Sequence, residues 1–343
     1  MSWKKFESVT LHVGHDKTGS TAIQSAMDTH RESLLAEGYL YPNGRWHAPL
    51  GSYFHDEPEK YDGNPLASRE EIRRLDAEWM KRLLVELDST SARHVVFSYE
   101  GFFNLPESTW RRIREFFLRH TAQIRIVGYC RRPEDYAISA ISQQIKSGRI
   151  PWGRYTGKLA ELRLATASRA SDWRLGLPIV FYKNNLPKMQ RIFGKENMVI
   201  RKFGRDELTG GDVVADFLSI FDLSDPLIRK VSSSRVRENP SLGAAAIQTG
   251  LYLLRRRDEL RISADESRTK IVPLLEEIPG SKPVLHEDER WRVLEASRKE
   301  SVYLDEEWAS HFDDPVILRS TPPMLSDKEL QSLAGELLKR AGF

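Results

Sequence analysis

Short apolar segments alternate with longer amphipathic segments over roughly the first 245 residues. Val9, Leu11 and Val13 alternate with polar residues, which predicts a strand over 8–14. Further apolar segments that predict strands are 94–98, 124–130, 178–182 and 198–203. Helical spacing of apolar residues predicts helices over 20–37, 69–88 and 107–120, with more helical pattern after each later strand. Strands alternating with helices predict an α/β fold whose central sheet is mostly parallel and carries helices on both faces.

The end of the chain has a different pattern. From about residue 243 it reads as helical, with Pro and Gly breaks near 273, 279–283 and 322–323. We therefore expect a first domain over 1–245 and a helical C-terminal extension over 246–343 packed on the same domain. Within the first domain, residues 41–68 are rich in Pro, Gly, His and aromatic residues and show no period, which predicts a long irregular loop of the kind that is usually functional.

Composition restricts the classes of partner and compartment. The chain has 343 residues and a formal net charge of only +3, which gives no support to binding of nucleic acid. Its single cysteine, Cys130, excludes an intrachain disulfide and any Cys-rich metal site. No apolar run approaches the ~20 residues of a membrane span, and the N-terminus has no apolar signal core. We expect a cytoplasmic protein without stable membrane insertion.

A glycine-bracketed turn follows the first predicted strand. Gly14 and Gly19 enclose it, and a helical pattern opens at Ser20. Backbone N–H groups at such a helix start bind phosphate or sulfate. The segment nearly matches the nucleotide-binding P-loop, G-x-x-x-x-G-K-[ST], but has Ser20 where that motif has lysine, and its lysine is Lys17. We predict a P-loop-like three-layer fold in which Lys17 neutralises a leaving group.

A second anion-binding element follows the strand 124–130. Arg131 ends that strand, and Ser139 lies about two turns into the next predicted helix. A guanidinium and a hydroxyl together form a good phosphate clamp. In parallel sheets ligands bind beyond the carboxyl ends of the strands, where Lys17, Glu100 and Arg131 would converge. Two anion sites on one edge suggest a ligand that is phosphorylated at two separate places.

These motifs resemble those of the sulfotransferases that use 3′-phosphoadenosine 5′-phosphosulfate (PAPS). His15-Asp-Lys-Thr-Gly-Ser-Thr21 resembles their 5′-phosphosulfate loop, and 131–139 resembles their 3′-phosphate motif, Arg-x-Pro-x-Asp-x-x-x-Ser. Ser98-Tyr-Glu-Gly-Phe102 is similar to the segment that holds a catalytic carboxylate in carbohydrate sulfotransferases. The resemblance covers roughly 8–245. The Lys/Arg-Lys-Gly loop of the aryl and steroid enzymes is missing, which favours the bacterial, carbohydrate-type branch.

The resemblance implies transfer of a sulfuryl group from PAPS to a hydroxyl or amine of a glycan, a glycolipid or another hydroxylated small molecule. The product would be adenosine 3′,5′-bisphosphate, and no metal would be needed. Glu100 would act as the general base, and Lys17 would stabilise the leaving phosphate. The residues that would bind the cofactor are His15, Lys17, Thr18, Gly19, Ser20, Thr21, Arg131, Ser139, Arg235 and Arg237.

Four further residues are candidates for the acceptor side. His47 and His55 lie in the predicted loop 41–68, and His47 is a second candidate for a catalytic base. Trp152 and Arg154 combine a ring and a cation in a way that suits a sugar face or an anionic acceptor. Each has a structural alternative: loop histidines are often surface residues, and Trp152 is as readily a packed side chain.

Two other classes of protein stay open. A P-loop nucleotide kinase would have lysine at position 20 and a magnesium-binding carboxylate at a strand end. A catalytically inactive nucleotide-binding member of the same fold would keep the loop without the chemistry. Ser20 and Thr21 could simply cap a helix, and Glu100 could be a solvated carboxylate at the end of a strand.

Overall fold

The computed structural model describes residues 6–44, 46–61, 64, 68–147, 171–172, 177–178, 180–204, 206–233, 242–256, 259–281, 283–285, 287–308 and 325–343. The chain divides into two compact units that interleave along the sequence. The first unit comprises Met1–Arg131 and Lys183–Glu238, and the second comprises Arg132–Tyr182 and Asn239–Phe343. The expected division into 1–245 and 246–343 stays a prediction.

The described residues contain seven strands and fourteen α-helices. The strands are β1 (Ser8–His12), β2 (Tyr39–Leu40), β3 (His94–Ser98), β4 (Ile124–Arg131), β5 (Ser171–Asp172), β6 (Leu177–Pro178) and β7 (Met198–Phe203). The helices are α1 (Ser20–Thr29), α2 (Arg31–Ala36), α3 (Ala48–Phe54), α4 (Arg69–Ser89), α5 (Glu107–Leu118), α6 (Pro133–Ser147), α7 (Tyr182–Phe193), α8 (Val213–Leu218), α9 (Asp225–Ser233), α10 (Ala244–Arg255), α11 (Ala264–Glu266), α12 (Val272–Glu276), α13 (Glu287–Trp308) and α14 (Asp327–Ala341).

The first unit is built on a five-stranded sheet in the order β2-β3-β1-β4-β7, and all of its strand pairs are parallel. β1 lies at the centre, and all five of its residues are buried. Its last residue, His12, is in register with Ser98 of β3 and Val127 of β4. The segments that follow β1 and β3 therefore leave the sheet at the same edge.

Helices cover both faces of this sheet. On one face, Val96 packs in a buried cluster with Ile23 of α1 and Phe217 of α8. The next residue, Phe97, points to the other face, where its ring lies 5.2 Å from that of Phe117 in α5. The predicted α/β class with a central parallel sheet is confirmed, and the P-loop-like identity stays a prediction.

The second unit is mainly helical. Its core joins side chains of α6, α10, α12 and α14, among them Ile145, Leu251, Leu275 and Leu337. Gly250 permits close packing there, because a β-carbon at this position would lie 2.7 Å from the side chain of Ile145. The short strands β5 and β6 pair antiparallel. From residue 243 onward, most of the described residues lie in helices α10–α14, and 277–281, close to the predicted break at 279–283, are not helical.

Two predicted elements differ from the structure. The predicted strand 178–182 is not a strand of the main sheet in its described residues: Pro178 ends β6, and Tyr182 begins α7. Tyr182 shares its buried side with Leu186, Met189 and Phe193. These spacings of three and four residues are helical, so the aromatic residue belongs to the helix and not to the apolar segment before it. The predicted irregular loop 41–68 contains α3, together with a 3-10 turn at Pro58–Lys60.

Candidate functional site

The segment between β1 and α1 forms a tight loop with two left-handed backbone positions. Lys17 has φ of 67° and Gly19 has φ of 80°. Thr18 turns its hydroxyl inward and donates a hydrogen bond of 2.5 Å to the carbonyl oxygen of His15. Gly19 is the N-cap of α1, and no side chain caps the helix there. The first turn of α1 therefore presents its positive end to the loop, as an anion site requires.

Gly19 has a steric role besides its backbone conformation. A β-carbon at this position would lie 2.8 Å from Cγ1 of Val213, the first residue of α8. Helix α8 is held in place by Asp216, which is buried and accepts hydrogen bonds from Tyr129 at 2.7 Å and from Arg201 at 2.8 Å. Burial opposes ionisation of Asp216, but these hydrogen bonds outweigh it and keep its pKa below the ordinary value. The loop thus packs against helix α8, which these hydrogen bonds hold in position.

His15 and Arg131 contact the loop from two sides. The ring of His15 is buried, donates from Nδ1 to the carbonyl oxygen of Asp16 at 3.0 Å, and lies edge-on to Phe103 at 5.1 Å. Burial lowers the pKa of His15. Arg131 donates from its guanidinium to the carbonyl oxygen of Lys17 at 2.5 Å. The sequence predicted Arg131 as a phosphate ligand, and the structure adds this contact, which supports Lys17 in its left-handed conformation.

Glu100 begins the 3-10 turn Glu100–Asn104, immediately after β3 and Tyr99. The side chain of Gln24, in α1, donates a hydrogen bond of 2.9 Å to Oε2 of Glu100. Gln24 is fully buried and Glu100 is half-buried. Helix α1 therefore follows the candidate anion loop directly and, through Gln24, also holds the carboxylate that the sequence predicts as a base. Gln24 was not among the predicted site residues, although its position four residues after Ser20 places both on one helix face.

His47 has a different setting from the one expected of a base. Its ring is fully buried, and both nitrogens are engaged: Nδ1 accepts from the backbone N–H of Ser98 at 2.9 Å, and Nε2 donates to the carbonyl oxygen of Pro42 at 3.1 Å. Burial lowers its pKa to about 4. These bonds fix a neutral ring with no free lone pair. His47 therefore supports the end of β3, and neither of its nitrogens is available to act as a general base.

Two more predicted site residues fall within the described ranges. His55 caps the end of α3, and its Nδ1 accepts from the backbone N–H of Glu57 at 3.0 Å. Ser139 lies half-buried in α6 and belongs to the second unit. The remaining four predicted residues, Trp152, Arg154, Arg235 and Arg237, lie outside the described residues.

Within the described ranges, no group of three His, Cys, Asp or Glu side chains could hold a metal ion. None of the helices there has both the length and the apolar character needed to cross a bilayer. No protein-family model matches the chain, and no curated protein is significantly similar to it.

Proposed function

We propose that this chain is a sulfotransferase that moves a sulfuryl group from PAPS to a hydroxyl or amine of an acceptor, and the motifs of its sequence favour a glycan or glycolipid as that acceptor. The observation that carries the proposal is that Lys17, Arg131 and Glu100 are all held near the start of helix α1. Arg131 bonds the loop at Lys17, and Gln24 of α1 bonds Glu100. Lysine, arginine and carboxylate are the groups that this transfer requires.

The loop residues fit a phosphosulfate group. The N-terminus of α1 has no side-chain cap, and Gly14 and Gly19 leave space that a β-carbon would fill. The hydroxyl of Ser20 is buried and has no hydrogen-bond partner among the described residues. His15, Thr18 and Thr21 complete the loop, with Thr18 shaping its turn. When bound, PAPS supplies an activated sulfuryl group whose leaving group is a phosphate.

The cationic groups of the chain would hold the negative charge that develops on the leaving side. Lys17 lies within the loop itself, so its ammonium group can stabilise that charge as it develops in the transition state. Arg131 holds the backbone of Lys17, which keeps the loop in the conformation that presents its N–H groups. Arg131 would thereby act on the loop as well as on a 3′-phosphate. The roles of Ser139, Arg235 and Arg237 stay predictions.

Glu100 would take the proton from the acceptor. Its carboxylate receives a hydrogen bond from the neutral amide of Gln24, which orients it. A positioned carboxylate that removes a proton in the transition state contributes about 10²–10⁴-fold to rate. The turn that begins at Glu100 packs against α3, whose neighbour Trp46 is 56% exposed and whose Tyr53 is 37% exposed. Exposed rings on and beside the helix that packs against this turn support a sugar as acceptor.

Ligand-dependent stabilisation tests the proposal. Adenosine 3′,5′-bisphosphate carries both phosphates of the predicted ligand, so it should raise the melting temperature more than AMP or ATP with Mg²⁺ does. At about 100 times its dissociation constant, the added free energy of unfolding should be about 2.7 kcal/mol. Equal or greater stabilisation by ATP with Mg²⁺ would favour the kinase alternative. Stabilisation by the bisphosphate without sulfuryl transfer to any acceptor would favour an inactive binding protein.

A further inference from the structure

A buried histidine lies directly behind the candidate anion loop. His12 ends the central strand β1 and is fully buried. Its ring packs against Phe217 at 5.0 Å and Tyr129 at 6.1 Å. Nδ1 of His12 shares a hydrogen bond of 2.7 Å with the hydroxyl of Ser98, the last residue of β3. The ring is therefore fixed in position on one side, and its second nitrogen faces the loop.

Two buried polar atoms meet at Gly14 without hydrogen-bond partners among the described residues. They are Nε2 of His12 and Oγ of Ser20. A β-carbon on Gly14 would lie 3.0 Å from Nε2 of His12 and 2.4 Å from Oγ of Ser20. Gly14 does not have a positive φ, so the glycine is needed at this position for space and not for backbone conformation. Its missing side chain leaves room where the two atoms converge.

We propose that His12 is a positioning residue of the anion loop, acting through Ser20; this inference rests on the proposed phosphosulfate site. With the anion bound, the hydroxyl of Ser98 donates to Nδ1 of His12, and Nε2–H of His12 donates to Oγ of Ser20. The Ser20 hydroxyl in turn donates its proton to the anion. The result is a chain of three hydrogen bonds that all point toward the ligand.

The direction of these three hydrogen bonds follows from the number of protons on the Ser20 hydroxyl and the His12 ring. A sulfate or an ionised phosphate accepts hydrogen bonds, so the single proton of the Ser20 hydroxyl must point to it. The oxygen of Ser20 can then accept a hydrogen bond from behind, and the nearby group is Nε2 of His12. A neutral imidazole has one N–H group, and placing it on Nε2 makes Nδ1 the acceptor for Ser98. Hydrogen bonds aligned in this way strengthen one another.

The surroundings of His12 favour the neutral ring. Burial lowers its pKa to about 3, so it carries no charge at physiological pH. The backbone of its partner Ser98 is fixed on the far side by His47, which accepts from the Ser98 N–H at 2.9 Å. His47 therefore supports the chain of hydrogen bonds from outside it. A buried donor without a partner destabilises the structure that contains it, so pairing of His12 and Ser20 on ligand binding adds to affinity.

The experiment measures binding and tautomer together. Dissociation constants for adenosine 3′,5′-bisphosphate and for sulfate are determined by calorimetry for the wild-type chain and for His12→Leu, His12→Gln and Gly14→Ala. We expect His12→Leu and Gly14→Ala to weaken binding about 10-fold or more. His12→Gln keeps an N–H donor and should lie within about 3-fold of wild type. His120→Leu, which replaces a buried histidine that precedes β4 at the opposite edge of the sheet, is the matched control and should bind normally.

Nitrogen-15 NMR of the histidine rings in the wild-type complex provides the second readout. Nε2 of His12 should carry the proton in the complex, and Nδ1 should show the shift of an unprotonated acceptor. A proton on Nδ1, or equal affinity of the wild-type and His12→Leu chains, would overturn the inference. If neither probe binds the wild-type chain, the proposed function fails instead. If His12→Leu does not fold, the position of the proton on the His12 ring in the wild-type complex tests the inference.

Discussion

Lys17 and Arg131 are two cations that contact each other through the backbone of the loop. Lys17 lies inside the loop with φ of 67°, a left-handed conformation that costs a non-glycine residue about 1–2 kcal/mol. Arg131 offsets this cost by bonding the carbonyl oxygen of Lys17 at 2.5 Å, and its guanidinium lies 5.3 Å from the ring of Phe203. We therefore expect the backbone of Lys17 to shape the loop and its ammonium group to take part in the proposed chemistry.

Substitution of the two cations should separate chemistry from binding. Lys17→Ala should lower turnover far more than affinity for adenosine 3′,5′-bisphosphate, because its main partner is charge that grows in the transition state. Arg131→Ala should weaken binding by a few kcal/mol, since it removes a charge-assisted clamp and the support of the loop. Steady-state kinetics with calorimetry would measure both. Loss of binding with unchanged turnover at saturation in Lys17→Ala would contradict the leaving-group role.

Glu100 can be tested as the base without disturbing its hydrogen bond to Gln24. Glu100→Gln keeps the shape of the side chain and removes its basicity, so affinity for adenosine 3′,5′-bisphosphate should stay nearly unchanged. Turnover should fall by about 10²–10⁴-fold. Gln24→Leu is the companion variant, because it removes the donor to Oε2 and leaves the carboxylate in place. Its turnover should lie between those of wild type and Glu100→Gln, and wild-type turnover in both variants would exclude Glu100 as the base.

Part of this site could be predicted from the sequence, because charged residues that follow apolar strands are visible as a pattern. Lys17, Glu100 and Arg131 each follow a predicted strand, and the parallel sheet places those strand ends at one edge. Gln24 and His12 have no such pattern, because their partners lie 76 and 86 residues away in the sequence. The burial of His47 was equally hidden, since it depends on the position of β3 beside a segment that was expected to be irregular.

At the scale of elements, the contact between α8 and the loop is the one most open to test. Gly19→Ala combines a left-handed conformation with a clash against Val213, so it should displace the loop and weaken binding of adenosine 3′,5′-bisphosphate at least 10-fold. Gly210 is the matched control: its φ is 62°, but a β-carbon there meets nothing within 4 Å. Gly210→Ala should lower stability by a similar backbone cost and leave binding unchanged.

A compensating substitution separates the two causes at Gly19. Adding Val213→Ala to Gly19→Ala removes the side chain that the new methyl group would meet at 2.8 Å. The double variant should recover most of the lost affinity and keep only the cost of the left-handed conformation. If the double variant binds as weakly as Gly19→Ala, the clash with α8 is not what shapes the loop.

The strands that the sequence predicted well are those that contain a short run of apolar residues. β3, β4 and β7 were found within one residue of their ends, because each has such a run, for example 95–97 in β3 and 198–200 in β7. The short helix α3 has only seven residues, too few for a helical period to stand out against its aromatic neighbours. The two-residue strand β2 joins the sheet through pairing with β3, which no local pattern indicates.

At the scale of the whole molecule, chain order did not determine packing order. The strand order β2-β3-β1-β4-β7 brings β1 between two strands that come later in the chain. Helix α6 follows β4 directly in sequence, yet it packs in the second unit with α10 and α13. The sequence predicts that an α/β sheet forms, but pairing of distant strands and packing of distant helices depend on complementary surfaces that are not visible in a local pattern.

Burial of histidines makes the whole molecule sensitive to acid. All seven histidines in the described part of the chain have a lowered pKa, and burial is the main cause in each; they are His12, His15, His30, His47, His55, His94 and His120. Between these lowered values and the ordinary 6.5, the unfolded chain binds more protons than the folded chain. The free energy of unfolding should therefore fall as the pH drops below about 6.5.

His47 lies outside the proposed hydrogen-bond chain to the anion and offers a clear measurement of this effect, because burial lowers its pKa to about 4. Each such histidine contributes about 1.4 kcal/mol per pH unit to the slope within its window. His47→Asn should be less stable than wild type at pH 7.5, since it disturbs the bonds to Ser98 and Pro42. Between pH 6.5 and 5, where carboxylates stay ionised, the difference between the two chains in urea unfolding should narrow by about 1.4 kcal/mol per pH unit. Parallel pH dependences would show that His47 is protonated equally in the folded and unfolded states, contrary to its burial.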